Sequence, residues 1–212
     1  MKMLGALERP YHASVRPMVD WFIRSGVQPN TITTIGTGLV LASAVAYGAG
    51  SIRLGGFLLL LSGVMDTFDG AVARATQRVT RFGAFYDSTL DRVGDGATFI
   101  GIGAYLLTAP DIAHRNLAVI LCMVAILSSL LVSYARARAE GLGLDCKVGI
   151  AQRAERVLGV GAISLFVGAG PRGLVLEAAV AILALLSTIT VVQRFVWVYR
   201  HAGDATPGAG TS

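Results

Sequence analysis

The chain has 212 residues, of which 54% are hydrophobic and only 15% charged, with 26 glycines and a mean hydropathy of +0.64. So little charge in a chain of this size points away from a soluble domain and towards a single integral membrane bundle, because no polar linker divides the sequence. The formal net charge is +5, but the bases sit between apolar runs, where they set topology and attract anionic membrane lipids, so no nucleic-acid partner is expected.

The first residues contain no apolar core followed by a small-residue cleavage site, and the segment is read as retained. Over residues 10–25, Val15, Met18, Val19, Phe22 and Ile23 recur at helical spacing with Arg16 and Arg24 between them. This pattern fits an amphipathic helix lying at the membrane interface, and equally a connecting helix packed on the bundle. Six apolar segments follow, at 31–49, 54–75, 82–109, 116–140, 153–169 and 173–199. Each approaches or exceeds the roughly 20 helical residues that cross a bilayer. The expected architecture is therefore all-α: six transmembrane helices over 31–199 plus the interfacial helix, one domain over 1–200, and a small, polar, disordered tail over 201–212.

Of the 18 Lys and Arg residues, all but Arg53, Arg115 and Arg172 fall on one side of this arrangement. By the positive-inside rule both termini face the cytoplasm in a multi-pass cell-membrane protein. Cys122 and Cys146 have neither CxxC spacing nor a partner histidine, and are read as free thiols.

The stretch "MDTFDGAVARATQRVTRFGAFYDSTLD" places four carboxylates among these apolar runs. Asp66 and Asp69 share one face of the second span, with Gly70 and Ala73 continuing it; Thr80, Gly83, Asp87 and Asp91 share one face of the third. A hinge near Arg78 makes the two helices antiparallel and brings Asp69 to the depth of Asp87, and Asp66 to that of Asp91. Four facing carboxylates repel unless protonated or bridged by cations. Oxygen-only ligands suit Mg²⁺, Mn²⁺ or Ca²⁺, and a pair of such ions would leave positions open for substrate phosphate oxygens. The carboxylates are confined to the cytosolic half, where lipid headgroups lie, so lipid-linked phosphate chemistry is favoured over an ion or proton pathway spread across the membrane. Asp95 either extends this site or pairs with an arginine.

These residues spell Asp66-x2-Asp69-Gly70-x2-Ala73-Arg74-x8-Gly83-x3-Asp87-x3-Asp91, which resembles the signature of the CDP-alcohol phosphatidyltransferase family. The resemblance implies a Mg²⁺-dependent transfer in which an acceptor hydroxyl attacks the β-phosphorus of CDP-diacylglycerol and CMP leaves. It implies two metal ions held by Asp66, Asp69, Asp87 and Asp91, with Asp91 also the general base. It further implies contacts to the CDP moiety from Gly70, Arg74 and Thr80 and from the segment Pro29, Asn30, Thr31 and Ile32, and it implies a homodimer.

The acceptor must be read from other positions. Arg136 and Arg138 end the fourth span, Arg153 and Arg156 begin the fifth, and Arg194 lies near the end of the sixth, all on the side of the carboxylates. Such a cluster suits a phosphorylated acceptor. The segments "SYARARAE", "QRAER" and "VVQR" look like those of actinobacterial family members that use an inositol phosphate, which implies acceptor phosphate contacts from Arg136, Arg153 and Arg194. Arg136 and Ala154 stand where that subgroup has lysine and proline. The expected acceptor is 1D-myo-inositol 3-phosphate, with glycerol 3-phosphate as the alternative. Positive-inside topology by itself accounts for Arg138 and Arg156.

Overall fold

The computed structural model describes residues 16–150 and 152–203. Among these residues the chain is helical, with no strand. Residues 16–24 form α1; the part of the expected amphipathic helix before residue 16 lies outside the described residues. Then come α2 (Pro29–Gly48), α3 (Ile52–Ala75), α4 (Arg81–Thr108), α5 (Arg115–Glu140), α6 (Arg153–Phe166) and, after a short 3-10 turn at Pro171–Gly173, α7 (Leu174–Ala202).

Local chemistry sets the boundaries. Pro29 opens α2, where its missing N–H is harmless and its φ is already helical. Gly50, at φ +81°, turns the chain directly into α3. Thr80 caps α4, its hydroxyl accepting from Gly83 N at 2.9 Å. Between α3 and α4, Arg78 N donates to Ala73 O at 2.9 Å and Gln77 N donates to Arg74 O at 3.3 Å. That double bond closes a Schellman motif in which Gln77 takes the left-handed position, φ +53°, that glycine usually fills. α7 continues to Ala202, two residues into the segment assigned to the tail, and residues 204–212 lie outside the described residues.

Short connections make α2, α3 and α4 successively antiparallel, with α2 packed on both of the others and α3 and α4 meeting chiefly through it. α3 also packs on α6, α4 on α5, and α7 on α5 and α6. The main core gathers Tyr47, Leu59, Ile102, Leu106, Val160, Leu176 and Val180. Helix approach depends on small residues, as it must where lipid offers no hydrophobic drive. A Cβ on Gly56 would come within 2.7 Å of Gly161 O, so α3 and α6 meet backbone to backbone. A second cluster joins Val19 and Phe22 of α1 to Ile32 of α2 and to Phe68 and Val72 of α3, which docks α1 on α2 and on the helix that carries Asp66 and Asp69.

Among the described residues, four helices are long and apolar enough to cross a membrane: Pro29–Gly48, Ile52–Ala75, Arg115–Glu140 and Pro171–Ala202. Large apolar side chains such as Val45, Ile100 and Leu185 lie exposed on the outside, as lipid-facing positions would. α4, with 28 residues, is about 42 Å long but carries Asp87, Asp91, Arg92 and Asp95 along its length. α6, with 14 residues, reaches about 21 Å, short of a hydrocarbon core of about 30 Å.

Candidate functional site

α3 and α4, each packed on α2, bring the carboxylates together as the spacing requires. Asp66, Asp69 and Asp87 each offer an oxygen, and these oxygens lie within 4.8 Å of one another. Asp91 joins them through Arg153, whose Nη1 stands 2.8 Å from Asp66 Oδ2 and 3.0 Å from Asp91 Oδ1. Arg92 also approaches Asp91, at 3.3 Å. Thr33 of α2 donates to Asp69 Oδ2 at 2.7 Å, while Asp87 Oδ1 is buried with no hydrogen-bond partner among the described residues. An orphaned buried carboxylate oxygen facing two further carboxylates, with no histidine or cysteine in the group, fits a hard divalent cation.

Two cavities flank this cluster. The first, about 290 Å³, is lined by Pro29, Asn30, Thr33, Asp69, Gly70, Arg74, Arg78 and Thr80 among others. Glycines shape its wall: a Cβ on Gly70 would come within 3.1 Å of Arg74 Nη1, and one on Gly83 would meet Thr80 Oγ1 at 3.0 Å and Asn30 Oδ1 at 3.4 Å. Five of the seven residues expected to contact the CDP moiety therefore converge here. Thr31 and Ile32 do not: Thr31 is exposed on another face and Ile32 is fully buried in the α1–α3 cluster. A helix turns about 100° per residue, so α2 presents Pro29, Asn30 and Thr33 to the cavity and turns the two intervening residues away. Thr33 was legible in principle, one turn beyond Pro29 on the same face.

The second cavity, about 520 Å³, is lined by Asp87, Asp91, Arg92, Arg136, Gln152, Arg153, Arg156 and Arg194 among others. The three arginines expected to meet an acceptor phosphate thus share one cavity with two of the carboxylates. Their present partners differ. Arg136 lies at the surface with Glu140, 2.8 Å away. Arg194 is 3% exposed and donates to Val148 O at 2.9 Å and to Val132 O, tying α7 to α5 and to the loop before α6. Arg156 is not a surface topology signal: it is 3% exposed and pairs with buried Asp95 at 2.5 Å. This resolves Asp95 as an ion-pair partner between α4 and α6. Ala84 and Asp87 line both cavities, so the carboxylate cluster forms the wall between them.

A membrane bundle with clustered carboxylates between two cavities that both carry arginines suits an enzyme that handles phosphate groups at a lipid surface. The chain belongs to the CDP-alcohol phosphatidyltransferase family, whose sequence profile matches residues 27–196. It is 40% identical, over 88% of its length and 93% of the relative's, to the archaetidylinositol phosphate synthase of Methanothermobacter thermautotrophicus. It is 36% identical, over 98% of its length and 91% of the relative's, to the phosphatidylinositol phosphate synthase of Mycobacteroides abscessus. Its fold resembles crystal structures of Mycobacterium tuberculosis phosphatidylinositol phosphate synthase. The complex with manganese and citrate gives a TM-score of 0.78 at 32% identity, covering 92% of this chain and 95% of that one. The form with CDP-DAG bound gives 0.76 at 31%, covering 92% and 96%.

Proposed function

We propose that this protein transfers the phosphatidyl group of CDP-diacylglycerol to 1D-myo-inositol 3-phosphate, forming phosphatidylinositol phosphate and releasing CMP. The observation that carries this reading is the pair of cavities sharing Asp87 as a wall. One has the glycine-lined, Arg74-bearing surface suited to a nucleotide diphosphate; the other gathers arginines as a phosphorylated alcohol requires. The names of the relatives agree on the inositol phosphate product and differ only in its lipid.

Asp66, Asp69, Asp87 and Asp91 would hold two Mg²⁺ ions, or Mn²⁺, which when bound supply charge neutralisation for the diphosphate and for the oxygens that attack and leave. The chain's own residues do the rest. Arg74, lying against Gly70, and Thr80 and Asn30 hold the CDP end so that the β-phosphorus faces the second cavity. Arg136, Arg153 and Arg194 hold the acceptor phosphate and so orient one inositol hydroxyl towards that phosphorus. Asp91, at the border of the acceptor cavity, takes the hydroxyl proton as the new P–O bond forms and the bond to CMP breaks. The same proposal completes a six-span bundle with α4 and α6, in a homodimer of the cell membrane with termini and site on the cytoplasmic side and the N-terminal helix at the interface. The one-sided distribution of Lys and Arg supports that orientation.

CMP release by the purified protein tests the reading, with CDP-diacylglycerol and Mg²⁺ present and inositol 3-phosphate, free inositol, glycerol 3-phosphate and serine offered separately. Release with inositol 3-phosphate alone, abolished in Asp91→Asn, is the expected result. Release only with glycerol 3-phosphate would transfer the assignment to that acceptor, and metal-dependent ion flux without CMP release would replace the enzyme reading with a transporter.

A further inference from the structure

Arg153 stands at the border between the carboxylates and the basic cavity. A single nitrogen, Nη1, reaches Asp66 Oδ2 at 2.8 Å and Asp91 Oδ1 at 3.0 Å, bridging carboxylates from α3 and α4. The side chain is 19% exposed, and its Nε is buried without a hydrogen-bond partner among the described residues. The same residue lines the cavity that holds Arg136 and Arg194.

A guanidinium and a divalent cation answer the same need at these oxygens. Carboxylates this close in a weakly polar setting demand a positive partner, and Arg153 is placed to be one. A cation coordinated by Asp66 and Asp91 takes over that charge, and the guanidinium, a strong donor with several rotatable bonds, is then left without its carboxylates beside an open basic cavity. Leaving it there unpaired is unfavourable, and an anion arriving in the cavity supplies the missing partner.

We propose that Arg153 is a surrogate cation: it holds the Asp66 and Asp91 carboxylates until metal displaces it, and the released guanidinium then engages the acceptor phosphate. The second half of this device rests on the phosphorylated-acceptor reading above; the first half does not. Metal binding and acceptor binding are then positively coupled, each raising the affinity of the other by the same factor. The metal site thereby prepares the acceptor site in a protein that would otherwise hold two ligand sets independently.

Mn²⁺ binding to the purified full-length protein without substrates, followed by electron paramagnetic resonance of the free ion, provides the test. Arg153→Gln removes the competitor and should bind Mn²⁺ on the order of tenfold more tightly than wild type. Arg136→Gln removes a charge from the same cavity without freeing a carboxylate of the cluster, and should stay within about twofold, which sets the baseline for long-range electrostatics. Thermal unfolding separates a structural role: Arg153→Gln should be less stable than wild type without metal and gain more stability from Mn²⁺, whereas a structural arginine would lower both by the same amount. Should Arg153→Gln not fold, Arg153→Lys, which keeps the charge but not the fork, serves with an expected intermediate affinity. In wild type, inositol 3-phosphate should tighten Mn²⁺ binding, and this coupling should vanish in Arg153→Gln. Equal Mn²⁺ affinity in wild type and Arg153→Gln, or an equal gain in Arg136→Gln, would overturn the proposal whichever acceptor supports CMP release.

Discussion

Thr33 Oγ1 donates a 2.7 Å hydrogen bond to Asp69 Oδ2, linking α2 to the most buried of the three converging carboxylates. The bond fixes which Asp69 oxygen remains available to a cation. Thr33→Val keeps the shape and removes the donor. Loss of such a supporting partner typically weakens metal binding by about 10- to 100-fold, so the Mn²⁺ affinity of Thr33→Val should fall by about tenfold or more. Unchanged affinity would mean that Asp69 is oriented by packing alone.

Arg136 and Arg194 line one cavity but should respond differently to substitution. Arg136→Gln should raise the KM for the phosphorylated acceptor by about tenfold, the order of one hydrogen bond to a charged group, with an unchanged melting temperature. Arg194→Gln should raise the same KM and also lower the melting temperature, because it releases the carbonyls of Val132 and Val148. Steady-state kinetics and a thermal scan on both variants decide the matter.

The buried Asp95–Arg156 pair joins α4 to α6, and Arg156 also lines the second cavity. Removing one partner strands the other charge, at a cost of about 3–5 kcal/mol. Asp95→Asn and Arg156→Leu should each unfold at markedly lower denaturant concentration. The double variant Asp95→Leu/Arg156→Met should recover much of the loss, which equilibrium unfolding of the three proteins would register.

Gly70 leaves room for Arg74 to lie across α3. Gly70→Ala puts a methyl 3.1 Å from Arg74 Nη1 and should push the guanidinium out of its place. The expected result is a KM for CDP-diacylglycerol raised by about tenfold, of the order of one charge-assisted hydrogen bond, with Mn²⁺ binding retained. A parallel loss of Mn²⁺ binding would show instead that α3 itself had shifted.

Gln77 holds the left-handed position of the α3–α4 Schellman turn at φ +53°. A residue with a Cβ is strained there by about 1 kcal/mol or more, and glycine is not, although glycine loses more chain entropy on folding. Gln77→Gly should therefore stabilise the protein by about 0.5 kcal/mol with activity retained, measured as a shift in unfolding midpoint.

Much of this was legible along the chain because it depends on spacing within one helix or across one short turn. Apolar run lengths located the helices to within a few residues; α6 stops three residues before its expected end because the glycines and proline around Gly170 allow several stopping points, and α7 runs three residues past its expected end, into the polar segment that follows the apolar run. The i,i+3 and i,i+4 spacing of Asp66, Asp69, Asp87 and Asp91 and a five-residue connection sufficed to oppose two acidic faces. Reading "PNTI" as a linear segment failed for Thr31 and Ile32 because Pro29 begins a helix, and a helix sends adjacent residues to different faces.

The sequence by itself therefore determined the helical membrane architecture, the family signature and the carboxylate-bearing hairpin, since periodicity, run length and local turn chemistry suffice for each. Only the tertiary structure decided which cations the carboxylates meet. That Arg153 bridges Asp66 and Asp91, that Arg156 is buried against Asp95, and that Arg194 clamps two backbone carbonyls all depend on where α6 packs against α3, α5 against α4, and α7 against α5 and α6. Those contacts join residues roughly 40 to 90 positions apart, a separation over which neither helical periodicity nor turn geometry carries information, so packing alone sets them.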